Sequence, residues 1–336
     1  MKFGWSLQNS GAQATEPILT AIAEKAERDG YDSIWVSDHV VVPCAIVPKY
    51  PYTPDGKFPH DPSGNIVEPL ALLCYLAGRT RRVRLGTSVL ILPYRNPVLT
   101  AKLVATLDYL SGGRVILGIG VGWMAEEFEA MAAPPFAERG AVTDEYVQAF
   151  KACWTQDQPS FAGRFYRFAP LKLAPKPLQR PHPPIWIGGH TPAAMRRAAR
   201  YGDGWQPIGL RPPASLRPPE LAAEIATLRR LTGEAGRPAQ AVEISFRAPL
   251  RFAEGRAPGE RTPLSGTPGQ IIDDLRQYAA AGVSHQVFDL LGLSPEERLA
   301  AIDRFTREVL PAFREEPAAP RAARGAKAGR AAAPAR

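Results

Sequence analysis

Cysteine is scarce in this 336-residue sequence: only Cys44, Cys74 and Cys153 occur. An odd and widely spaced set offers neither a disulfide framework nor a Cys-x-x-Cys zinc pattern, so each is expected as a lone thiol. Long apolar runs are also missing, which excludes a membrane span. After Met1-Lys2 the chain enters an apolar, strand-like segment without the charged, apolar and small-residue parts of a signal peptide, and a cytoplasmic location is expected. No two of the five histidines share with a carboxylate the spacing of a local metal motif, so no metal is expected. His60, His182 and His285 read as loop, surface or core residues. The Gly-x-Ser-x-Gly elbow of a serine hydrolase does not occur. Nor does a glycine fingerprint follow the first strand-like segment, which argues against a doubly wound, dinucleotide-binding sheet.

What is present is ordinary for a globular chain: 45% hydrophobic and 22% charged residues. The formal net charge of +8 is unevenly spread. Five of those charges, Arg321, Arg324, Lys327, Arg330 and Arg336, fall in a final stretch that has no acid from Pro317 onward and is otherwise Ala, Pro and Gly. Such a segment has too little apolar surface to offset the cost of ordering its backbone, and residues 314–336 are expected as a disordered basic tail behind a domain of residues 1–313. The tail has no aromatic residue to stack on bases, so nucleic acid is not expected as a partner.

Apolar, strand-like runs fall at 3–7, 34–36, 83–90, 115–122, 185–189, 204–208, 242–246 and 285–290. Helical periodicity or a helix-start signal follows each of the eight runs. Thr191-Pro192, Thr267-Pro268 and Ser294-Pro295-Glu296-Glu297 are starts of that kind, with a hydroxyl to cap the helix and proline in its first turn. Residues 160–168 read as a short hairpin around Gly163-Arg164. Residues 40–65, with Pro43, Pro48, Pro51, Pro54, Pro59 and Pro62, are too long for a simple connector and read as an insertion beside an active site. Eight strands alternating with helices predict an α/β fold, a (β/α)8 TIM barrel with insertion loops.

In such a barrel the chemistry sits at the carboxyl ends of the strands. Ser37-Asp38-His39 ends the second strand and places a hydroxyl, a carboxylate and an imidazole together where a core would want none. An imidazole titrates near neutral pH, so His39 is the candidate proton donor or acceptor. Gly118-Ile119-Gly120-Val121-Gly122-Trp123 lacks the Gly-x-Gly-x-x-Gly spacing; glycines in a strand point instead to close approach by a ligand or by backbone. Here they are expected to clear the barrel mouth for something large and flat. Glu126 and Glu127 read as carboxylates favoured by the dipole of the next helix. Gly188-Gly189-His190-Thr191-Pro192 reads as an anion site, because glycines admit close approach to backbone amides at a helix N-terminus.

These motifs, together with Leu85-Gly86-Thr87-Ser88-Val89, residues 181–189 and Gly202-Asp203-Gly204-Trp205, resemble the bacterial luciferase-like monooxygenases, and within them the branch that uses the deazaflavin coenzyme F420. The resemblance runs from about residue 2 to 313. It implies a ring system in the barrel mouth, with Asp38 contacting the cofactor and His39 near the reacting edge. It implies a bulge at Ser88-Val89, often with a cis non-proline peptide, that presses Val89 against the ring. Gly120 and Gly122 are expected beside the cofactor, and Gly188, Gly189, His190 and Thr191 around its phosphate. Trp5, Trp123 and Gln206 are expected on the substrate wall. A sugar-phosphate dehydrogenase of the F420 branch carries glutamate where this chain has Trp123, which favours a flatter, more apolar substrate. The implied activity is hydride transfer between F420 and a small organic substrate. The alternatives are an FMN-dependent, oxygen-activating monooxygenase and a barrel that binds the cofactor without catalysis. A homodimer is expected.

Overall fold

The eight apolar runs form eight parallel strands: β1 (Lys2–Ser6), β2 (Ser33–Val36), β3 (Arg84–Thr87), β4 (Val115–Gly120), β5 (Ile185–Gly188), β6 (Gly204–Gln206), β7 (Glu243–Pro249) and β8 (His285–Asp289). Each pairs with the next in chain order, and β8 pairs with β1, so the sheet closes. This is the α/β barrel expected from the alternation of strands and helices. The computed structural model describes residues 1–47, 49–59, 64–254 and 260–314. The expected basic tail, from residue 315 on, lies outside the described residues, as do Pro48, His60 and Pro62.

Nine α-helices are present among the described residues: α1 (Glu16–Asp29), α2 (Pro69–Arg79), α3 (Pro97–Ser111), α4 (Ala125–Ala130), α5 (Arg139–Thr155), α6 (Pro192–Tyr201), α7 (Pro218–Glu234), α8 (Pro268–Ala281) and α9 (Pro295–Glu308). The start signals act as read. Thr191 accepts from the Ala194 amide, and Thr267 and Ser294 form capping boxes with Gln270 and Glu297. The expected hairpin pairs Phe161–Ala162 with Arg167–Phe168. The Glu145 carboxylate ties its turn by accepting from the amides of Arg164, Phe165 and Tyr166. The three cysteines are free. No helix among the described residues is long and apolar enough to cross a membrane.

Alternation along the strands separates two layers. Outward residues such as Phe3, Trp5, Ile34, Val36, Leu117, Phe246 and Phe288 pack against the helices in the main core. Inward residues fill the barrel, and the lower half is a plug: Trp35 and Trp186 stack with ring centroids 5.1 Å apart, with His285 edge-on to both. The plug needs glycine beneath it. A Cβ on Gly86 would lie 2.3 Å from the Trp35 ring, and one on Gly204 2.4 Å from Trp186. Burial holds the His285 imidazole down at about 3, and its Nε2 meets the Ser33 hydroxyl at 2.7 Å. Above this dry, neutral plug the inward positions turn polar: Ser6, Gln206, Arg247 and Asp289. That change of character marks where the core stops and the site begins.

Candidate active site

A cavity of ≈ 710 Å³ opens at the carboxyl ends of the strands, as a barrel requires. Most of the expected site residues border it: Asp38, His39, Ser88, Val89, Gly120, Gly122, Trp123, Gly188, Gly189, Thr191 and Gln206.

His39 is held from across the cavity mouth. Its Nδ1 lies 3.0 Å from Oε2 of Glu127 on α4, a side chain that is almost fully buried. The other Glu127 oxygen accepts from the Val40 amide at 2.8 Å. A carboxylate can only accept, so opposite one Nδ1 carries a proton, and in a neutral imidazole Nε2 then keeps the lone pair. Phe58 and Trp123 flank the imidazole, with centroids at 4.9 and 6.3 Å. Glu127 therefore positions the imidazole as well as sitting in a first helical turn. Nothing in its spacing links it to His39, which is 88 residues away.

Asp38 behaves differently from expectation. Its carboxylate has no exposed surface with which to reach a cofactor. It accepts from the Ile91 amide at 2.8 Å and binds Arg95 through Nε and Nη2 at 3.1 and 2.7 Å. Burial pushes its carboxyl up, against the pull of Arg95. Its work is internal: it fixes the segment that follows the Ser88–Val89 peptide, which is cis.

The glycines of β4 make room for the protein itself. A Cβ on Gly118 would sit 1.9 Å from the Thr87 carbonyl oxygen. One on Gly120 would sit 2.4 Å from Val89 Cγ2, and one on Gly188 2.4 Å from Val89 Cγ1. Gly122, at φ +81°, clears Phe128 and Ile91. The expected clearance for a flat ligand is thus first a seat for Val89, which then forms part of the cavity wall.

One lobe collects helix N-termini. Thr191 and Ala194 from the start of α6 face it, as do Arg139, Gly140 and Thr143 from the start of α5. The positive field at two helix starts suits an anion. Gly189, at φ +86°, leaves ordinary van der Waals space, and its carbonyl is tied down by Trp205 Nε1 at 2.7 Å. The Nε of Arg139 is buried without a hydrogen-bond partner. His190 is placed otherwise than expected: its neighbours border the cavity but it does not, and burial lowers its imidazole below the ordinary value.

Trp5 is also corrected. It is 1% exposed and packs against Tyr31, Phe288 and Phe305 on the helix side of β1. Alternation explains this, because Gly4 and Ser6 take the inward positions. Trp123 does stand in the cavity, within 5.2 Å of Tyr50 and 5.4 Å of Phe58. Gln206 donates to Ser245 Oγ, and its Oε1 is buried without a partner.

The sequence reading missed the largest charged assembly. Arg247 on β7 binds Asp289 at the end of β8 through Nε and Nη2, at 2.8 to 3.1 Å. Its remaining hydrogens go to Ser6 Oγ, Ser88 Oγ and the Ser88 carbonyl. Arg211 donates to the same carboxylate at 2.7 Å. Four strand ends are thereby cross-tied, including the one that carries the cis peptide.

Fold and cavity define a β/α-barrel protein with its site at the strand carboxyl ends. The chain belongs to the luciferase-like monooxygenase family, whose model matches residues 1–261. It is 30% identical over 284 residues to an FMNH(2)-dependent dimethylsulfone monooxygenase of Pseudomonas putida, covering 71% of this chain and 77% of that protein. It is 35% identical over 190 residues to an F420-dependent glucose-6-phosphate dehydrogenase of Amycolatopsis mediterranei, covering 56% of this chain and 52% of that one. Among solved structures, an F420-dependent secondary alcohol dehydrogenase in complex with an F420-acetone adduct shares the fold with a TM-score of 0.72 at 20% identity, over 94% of this chain and 99% of that chain.

Proposed function

We propose that this protein is an F420-dependent oxidoreductase that moves a hydride between the deazaflavin and a small organic substrate. The observation that carries the reading is the His39–Glu127 pair, which stands in the same cavity as a lobe built from two helix N-termini. The residues fit such a cofactor. The half-buried Val89 offers an apolar face to a flat ring. The starts of α5 and α6, with the unpartnered Nε of Arg139, suit a phosphate. When bound, the cofactor supplies the hydride chemistry. The chain's own part is to hold or deliver a proton at His39 Nε2, to keep that imidazole oriented through Glu127, and to exclude water with Tyr50, Phe58 and Trp123. The relative from Pseudomonas putida supports a second reading, an FMN-dependent monooxygenase. Separate fluorescence titrations with F420 and FMN decide between them. Tighter binding of F420 is expected. FMN binding without F420 binding would transfer the assignment to the second reading, and binding of neither would remove both.

The anion lobe has its own test. Asparagine and aspartate are nearly isosteric, and both tolerate the positive φ of Gly189 better than other residues do. Gly189→Asp should weaken cofactor binding about tenfold or more relative to Gly189→Asn, because only the former places a negative charge against the phosphate. Equal affinities for the two variants would move the phosphate elsewhere.

We further propose a cytoplasmic homodimer, with the location to be checked by fractionating the source cells. Leu99, Leu103 and Leu110 project from α3 with 59%, 42% and 69% exposure, a stripe of a kind that association buries. Leu110→Glu should shift the mass measured by light scattering from dimer to monomer. A wild-type monomer at the same concentration would dispose of the idea.

A further inference from the structure

Opposite the anion lobe, the cavity carries more positive charge than its own acids balance. Arg211, Arg247 and Arg298 border it, whereas among the described residues the acids that do so are Asp38 and Asp289. Asp38 is committed to Arg95. Asp289 is shared by Arg247 and Arg211. Arg298, in the first turn of α9 and 4% exposed, has only the uncharged Gln8 side chain as its side-chain acceptor among the described residues. The Nε atoms of Arg211 and Arg298 are both buried without a hydrogen-bond partner. The three arginines belong to one neighbourhood. Arg211 and Arg247 meet on Asp289, Arg247 reaches Ser6, and Gln8, two residues further on, carries Arg298.

A buried guanidinium without a counter-charge is costly, and an arginine fork matches a carboxylate in shape and charge. Next to this side of the cavity stand the rings of Tyr50, Phe58 and Trp123, with His39 against the last two. We propose that the substrate is an organic acid with an aromatic or apolar body. Its carboxylate is received on the Arg211–Arg298 side, and its body lies against Tyr50 and Trp123, within reach of His39. This rests on reading the cavity as the redox site, and it adds a charge to the flat, apolar molecule that Trp123 favours.

The test uses three probes of similar size: phenylacetate, phenylacetamide and phenyl phosphate. Binding of each to the full-length protein is measured by calorimetry, first without cofactor and then saturated with F420 or FMN. Phenylacetate should bind at least tenfold more tightly than the amide, as a charge-assisted pair predicts. The preference should persist with cofactor bound. Arg298→Gln and Arg211→Gln should each remove most of it, while Arg298→Lys retains part and guards against a merely unfolded variant. Cofactor affinity, measured separately, should not change in these variants. Equal binding of acid and amide overturns the proposal, as does a preference for phenyl phosphate over phenylacetate. Displacement of phenylacetate by the cofactor also overturns it, because the acid would then occupy the phosphate lobe. If neither cofactor binds, the redox reading fails by itself, and the acid–amide comparison on the free protein still decides the charge preference.

Discussion

Replacing Asp289 by asparagine should lower the unfolding free energy by roughly 3–5 kcal/mol, the usual scale for removing one partner of a buried ion pair. The carboxylate is 2% exposed and faces two guanidiniums, both of which lose their counter-charge in the variant. Asparagine keeps the shape and one acceptor, so the loss reports charge more than packing. The pH dependence follows from the same contacts. Burial alone would raise the Asp289 carboxyl, but Arg247 and Arg211 more than offset it and hold the group at about 2, below its ordinary 3.8. A folded-state value below the unfolded one stabilises the protein above pH 3.8, and the contribution is lost as the pH falls from there through about 2. The difference between wild type and Asp289→Asn should therefore be full at pH 7 and shrink below pH 3.8. Urea denaturation at pH 7 and pH 3 measures both ends. Adding Arg211→Gln to Asp289→Asn should recover part of the loss, since one orphaned charge goes with it. A difference below about 1 kcal/mol at pH 7 would mean that solvent reaches the cluster and screens it.

That cluster also shows where sequence reading stops. The eight strands were legible because each is an apolar run of strand length with helical signals between them. The seventh run was read as ending at Phe246, since Arg247 broke its apolar character, yet β7 continues to Pro249. Alternation held the missing clue: with Ile244 and Phe246 on the helix side, Ser245 and Arg247 must face inward, and the next inward step on β8 after Val287 is Asp289. The same count on β1 assigns Gly4 and Ser6 to the interior and sends Trp5 outward. Glu127 was not legible in this way. Helical phase says which face a residue occupies, not what lies opposite, and only closure of the barrel brings α4 against the end of β2. The glycines of β4 were read for the right property, close approach, but the approaching group is Val89 and the backbone of Thr87. His39 could be found because an imidazole just past the end of an apolar strand belongs to the barrel mouth, whereas its neighbour Asp38 turned inward to Arg95.

Replacing His39 by alanine should leave cofactor affinity within a few fold and lower turnover by roughly 100-fold or more, the scale for losing a general acid or base. The two readouts separate because the anion lobe and the apolar face of Val89 do not depend on the imidazole. If affinity and turnover fall together, His39 is a structural contact. Normal turnover across the pH range would leave the proton to another group. Added imidazole should restore part of the activity of His39→Ala, since the deletion opens space between Phe58 and Trp123. Glu127→Gln provides a sharper check on the orientation of the proton. The carboxylate accepts from both His39 Nδ1 and the Val40 amide. Glutamine has one acceptor oxygen, so its amide nitrogen must face one of those two groups. If the oxygen stays on the backbone amide, the glutamine donates to Nδ1 and forces the proton onto Nε2, the nitrogen left for the substrate. A proton acceptor thereby becomes a donor, and the two directions of the reaction should respond unequally. Oxidation of the substrate, which needs a base, should fall tenfold or more, and reduction should fall less. An equal fall in both directions would show that Glu127 supplies charge alone, without setting the tautomer.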